Sequence, residues 1–197
     1  MTPLSIRPPT DPLTPTIVAD LARSCHADSC ANGWWEPLED PAVEAAREAM
    51  RADLIGSEVG EALDALRRPE RPLAYLDDKG KPDGYLIEVA DAAIRALDLL
   101  GRILTREEYR PARVAAASAS GNLHLIKWHH LVFYQIIRLA HQESNGGTTF
   151  TRVNRLTEIV YLCHDECTRH NADLLHLIQI KRDFNRTRPI RHGGLSV

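Results

Sequence analysis

The sequence predicts an all-α fold, and three observations predict it. Apolar residues recur with a period near 3.6 over long stretches, the spacing of one helix face. The boundaries of these stretches carry helix-start and helix-stop residues. Alternating β-branched runs between turns, the usual strand signal, are nearly absent. At 197 residues the chain is long enough for one domain with a true core.

The elements follow in order. Residues 1–16 hold Pro3, Pro8, Pro9, Pro12 and Pro15, which predicts an extended arm. A first helix is expected from Thr16 to about Ala31, stopped by Asn32-Gly33. Trp34-Trp35-Glu36-Pro37 reads as a turn, and Asp40-Pro41 opens a second helix running to about Arg68. Pro69, Pro72, Gly80, Pro82 and Gly84 mark a loop, followed by a third helix from about Tyr85 to Leu104. Pro111 to Gly121 is Ala/Ser-rich, a linker or weak helix. A fourth helix is expected from about Asn122 to Glu143, broken by Ser144-Asn145-Gly146-Gly147. A long final helix, capped by Thr149 or Thr151, splits near Asn171 and ends before Pro189. The working division is an arm at 1–16, a core at 17–104 carrying the acidic motifs, and further helices with a basic ending at 105–197.

Composition removes several classes. With 44% hydrophobic and 26% charged residues, disorder throughout is excluded. No apolar run approaches the roughly 18 residues of a membrane span. The first residues lack the apolar segment of a secretory signal, so the expected compartment is the cytoplasm. A net charge of -3 predicts no attraction to nucleic acid or anionic membrane. Cys25, Cys30, Cys163 and Cys167, even with His26 and His164 nearby, match no common zinc spacing and read as reduced, buried thiols. His129 and His130 are adjacent on a helix, point about 100° apart, and read as structural.

The informative residues are acidic. On the second helix Leu54, Ile55, Val59, Ala62 and Leu63 form an apolar stripe; Glu58 falls inside it and Glu61 on its edge. A carboxylate aimed at a core is costly unless compensated. The third helix is apolar over most of its circumference, with a narrow stripe of Glu88, Asp91, Arg95, Asp98 and Arg102. Three-residue spacing puts each acid pair, Glu58/Glu61 and Glu88/Asp91, on one face of its helix. The intervening loop lets the helices return antiparallel, so the pairs can face each other. Four hard oxygen ligands suit Mg²⁺, with Mn²⁺ as a substitute. The plainer alternative makes Glu58 and Glu61 rim residues paired with Arg95 or Arg51, and the third-helix stripe a solvated face. The apolar circumference of the third helix also suggests a second copy covering it, in a homodimer or dimer of dimers.

Leu54 to Leu63, and Lys81-Pro82-Asp83-Gly84 followed by Ile87 to Arg95, resemble the two acidic helices of the MazG-like all-α nucleoside triphosphate pyrophosphatases. Where that family has a leading glutamate this chain has Ser57. The segment Asn32-Gly33-Trp34-Trp35-Glu36 with His26 resembles the family's base-contacting segment. Lys181 to Gly194 is similar to its K-x-x-x-N-x-T-R-P-x-R-H-G-G-K ending, with Leu195 in place of the last lysine. The resemblance implies hydrolysis of a nucleoside triphosphate, a deoxy- or non-standard one, to the monophosphate and pyrophosphate. It implies metal ligands Glu58, Glu61, Glu88 and Asp91, with Glu58 or Glu61 activating water. It also implies Lys181, Asn185, Arg188 and Arg191 on the phosphates, and His26 and Trp35 on the base. The competing expectation is a non-catalytic helical interaction module with a degenerate metal site.

Overall fold

A computed structural model describes residues 1–10, 12–37, 40–106, 128–144 and 148–190. Among them are six helices and three very short strands: β1 (Thr2–Pro3), α1 (Pro15–Ala31), α2 (Pro41–Leu66), β2 (Tyr75–Leu76), β3 (Pro82–Asp83), α3 (Tyr85–Arg106), α4 (Trp128–Ser144), α5 (Thr149–Arg169) and α6 (Leu174–Arg186). The helical reading therefore needs a small addition, an antiparallel sheet in the order β1-β2-β3. It pairs Thr2 with Leu76 and Tyr75 with Asp83. Two-residue strands containing Pro3 and Pro82 are too short to show alternation. The expected linker at Pro111–Gly121, the first turns expected of helix four and Arg191 lie outside the described residues.

Local chemistry sets the helix ends. Thr14 caps α1 by accepting from the Ile17 N–H, with Pro15 next. Asp40 caps α2 by accepting from the Ala42 N–H at 2.8 Å. Asp173 caps α6 by accepting from Leu175 and His176. The break between α5 and α6 falls at Asn171, whose φ of 53° places it in the left-handed region. Gly84, with φ of 110°, opens α3. A Cβ there would stand 2.8 Å from the Leu73 carbonyl oxygen, so only glycine lets the loop run this close to the helix start.

The third helix is the axis of the fold. Leu86, Ile87, Val89, Ala90, Ala93, Ala96 and Leu97 are fully buried. α3 packs on α1, α2, α5 and α6, and α4 on α2 and α5. Its apolar circumference is thus covered within one chain. α5 and α6 cover the part of that circumference for which the sequence suggested a second copy. The large apolar side chains left exposed lie elsewhere, among them Met50 on α2 and Tyr134 and Ile137 on α4. Among the described residues no helix is long and apolar enough to cross a membrane.

The first residues are pinned down. Leu4 N–H donates to the Ala74 carbonyl and Asp173 N–H to that of Arg7, and Arg7 Nε lies 3.1 Å from Asp173 Oδ2. The N-terminal arm thereby anchors the cap of α6.

Candidate functional site

The antiparallel return of α3 along α2 brings acids together. Ligand oxygens of Glu58, Glu88 and Asp91 all lie within 4.8 Å of one another. Glu88 is 3% exposed and Asp98 8%, so the stripe on α3 is not a solvated face, and Glu58 on α2 is 7% exposed. Burial first, then the Asp91 charge, raises the pKa of Glu58, and the same causes in the same order push Glu88 up to about 8. Glu61, one turn beyond Glu58, is exposed and stands apart from this trio.

Two cations face the acids. Arg95 Nε donates to Glu58 Oε1 at 3.0 Å. Lys181, on α6 and 4% exposed, ion-pairs with Asp91 Oδ2. Burial alone would lower the Lys181 pKa; the charges of Asp91 and Glu88 outweigh it and raise it. The plainer sequence expectation, an Arg95 partner for Glu58, thus holds for Glu58.

A cleft of about 250 Å³ is lined by Glu58, Glu88 and Asp91 and also by Lys181, Asn185 and Arg188. Arg188 is half-buried there, and burial lowers its pKa. The Asn185 side-chain oxygen is buried without a hydrogen-bond partner. Arg182 and Arg186 also line the cleft, but both hold Asp28 of α1, Arg182 Nε at 2.7 Å. They dock α6 rather than reach outward.

His26 and Trp35 sit in a different centre. Asp98 Oδ1 accepts from Trp35 Nε1 at 2.8 Å and lies 2.8 Å from His26 Nδ1, while Asp98 Oδ2 accepts from Ser29. The Arg51 and Arg102 guanidinium carbons lie 3.9 and 4.6 Å from the Trp35 ring centre. His26 and Trp35 are each 6% exposed and line neither of the two clefts at the acids, although Ser29, Trp34 and Asp98 beside them do line the smaller one. The expectation that Trp35 stacks on a base and His26 reads its edge does not fit, because ring, N–H and imidazole already have protein partners. Asp98, which organises this centre, was visible in the sequence only as one more polar position in the α3 stripe. Its partners on α1 and in the 32–37 turn are remote in the chain, and no spacing points to them.

The donor set fits a hard divalent cation. It consists of carboxylates alone, held close, with Glu58 and Glu88 buried and their pKa values raised first by that burial. Glu61 is near enough for its charge to act on both Glu58 and Glu88. No family model, curated protein or solved structure matches the chain.

Proposed function

We propose that the protein hydrolyses a nucleoside triphosphate to the monophosphate and pyrophosphate in a Mg²⁺-dependent reaction, as the resemblance to the MazG-like pyrophosphatases implies. The observation that carries the reading is the close trio of Glu58, Glu88 and Asp91, the two glutamates buried, in a cleft that Lys181 and Arg188 also line. Carboxylates repel phosphate, and cationic side chains attract it, so the two together make sense where a cation sits between them. Glu58, Glu88 and Asp91 would hold Mg²⁺ or Mn²⁺, with Glu61 at the edge. Bound there, the cation would neutralise phosphate oxygens and lower the pKa of a water.

The chain's own groups do the rest. Arg188 and Asn185 bind the polyphosphate, and Lys181 joins them once Asp91 turns to the cation. The water oxygen forms a bond to the α-phosphorus, the bond from that phosphorus to the α–β bridging oxygen breaks, and pyrophosphate leaves. The proton released by the water goes to Glu61, the exposed acid outside the trio, which has no ion pair among the described residues. Glu58, buried and held by Arg95, is the poorer base.

The test is a panel of deoxynucleoside and ribonucleoside triphosphates with Mg²⁺ and identification of both products. Pyrophosphate and monophosphate are expected. Asp91→Ala is expected to lose both activity and Mn²⁺ binding, and Glu61→Gln mainly turnover. Full activity in both variants, or stepwise release of phosphate, refutes the assignment.

One observation favours a second reading. Lys181 and Arg95 already neutralise Asp91 and Glu58, so the trio is partly satisfied without a metal. A non-catalytic helical module with a degenerate metal site has that property. Calorimetric titration separates the two: stoichiometric Mn²⁺ binding supports the enzyme, and its absence supports the module.

A further inference from the structure

We propose that the nucleoside of the substrate occupies a second cavity, between the C-terminal turns of α2 and loop 67–84, and that the smaller cleft takes only the polyphosphate. The inference rests on the triphosphate reading and names where its other half binds.

Two cavities of about 440 and 250 Å³ meet at the acids, sharing Glu61, Lys81 and Glu88. Each wall is about half polar, but the residues differ: aliphatic side chains and prolines cluster in the larger cavity and charged groups in the smaller. The smaller presents the charged groups described above, the partners of phosphate oxygens. The larger is lined by Ala65, Leu66, Pro69, Pro72 and Leu73 with Tyr75 and Tyr85, and also by the charged Arg71 and Asp83. A base and sugar need an apolar slot with a few polar groups at its edge, in sites of roughly 300–1,000 Å³. Only the larger cavity falls in that range. Arg68 and Asp64 supply polar groups among its lining.

Position agrees with chemistry. The bond to be broken lies between the nucleoside-proximal phosphate and the two that leave. The seam between the cavities, where Glu61 stands, is where that bond belongs if nucleoside and pyrophosphate lie on opposite sides. Lys81 is fixed at the same seam by a tight turn: its N–H donates to Asp77 Oδ1 at 2.8 Å and its carbonyl accepts from the Asp77 N–H at 2.9 Å. It can therefore serve the phosphate nearest the sugar. The alternative location, at His26 and Trp35, is closed by Asp98, Arg51 and Arg102.

The full-length protein with Mn²⁺ tests this through binding alone. Two probes are compared, an α,β-imido deoxynucleoside triphosphate and inorganic triphosphate. Leu66 is 45% exposed, so Leu66→Trp can fill the larger cavity without disturbing the core, and Leu66→Ala controls for the loss of leucine. Pro72→Trp fills it from the loop side. Either tryptophan is expected to weaken the nucleotide probe tenfold or more and inorganic triphosphate less than twofold, with Leu66→Ala near wild type. Equal weakening of both probes, or of neither, overturns the inference while leaving the pyrophosphatase reading intact. Wild-type protein that binds neither probe overturns both.

Discussion

Replacing Glu88 by Gln is expected to flatten the pH dependence of stability in the metal-free protein. Glu88 is 3% exposed, and burial followed by the Asp91 charge raises its pKa from 4.5 to about 8. Between those two values it is protonated in the folded protein and ionised in the unfolded chain. The unfolded chain then binds fewer protons, so stability falls as pH rises through the window. At about 1.4 kcal/mol per pH unit, flattening near pH 8 as the folded group itself ionises, the fall from about pH 5 to about pH 8 comes to about 3.5 kcal/mol. For a chain of this size that is roughly 10 °C in Tm. Glu88→Gln has no such proton to lose, although Glu58, raised for the same reasons, keeps part of the slope. Scanning calorimetry of both proteins in chelator gives the difference. The Tm gap between variant and wild type is expected to grow by about 10 °C in favour of the variant across that range. Parallel curves would show that Glu88 ionises freely and that the trio carries no stored repulsion. Excess Mn²⁺ is expected to restore the alkaline loss in wild type, since a ligand at a hundred times its Kd adds about 2.7 kcal/mol.

Three further outcomes follow from the packing. Gly101→Ala would ordinarily strengthen a helix by up to about 1 kcal/mol. Here the new Cβ would stand 2.2 Å from the Ala22 carbonyl oxygen, so a loss of about 1–3 kcal/mol in urea denaturation is expected, and a gain would contradict the α1–α3 contact. Lys181→Met breaks a buried pair and is expected to cost about 3–5 kcal/mol without metal. It should also tighten Mn²⁺ binding by removing the competing ammonium; unchanged affinity in calorimetry would mean that Lys181 does not compete. Trp35→Ala is expected to cost about 3–5 kcal/mol while leaving the ranking of nucleotides unchanged. A changed ranking would return the base to the Asp98 centre.

Much of the frame was legible because short-range chemistry sets it. Thr14-Pro15 and Asp40-Pro41 announce helix starts, and Asn171 marks the break between α5 and α6. The acid pairs were legible because three-residue spacing on two neighbouring helices constrains where they can point. Helical indexing also separated Glu58, inside the apolar stripe and buried, from Glu61, on its edge and exposed. It did not disclose that Asp98 claims His26 and Trp35, since a hydrogen bond between residues 72 positions apart leaves no local pattern. The sheet was missed for a related reason, as β1 pairs with β2 across more than 70 residues.

The order of the helices along the chain has a consequence for biosynthesis. The three acids of the trio leave the ribosome on α2 and α3, while Lys181 follows only on α6. Arg95 arrives with the acids on α3, where it pairs with Glu58. Translation delivers Lys181 after all three acids and after Arg95, so Asp91 gains its ammonium only once α6 has been made.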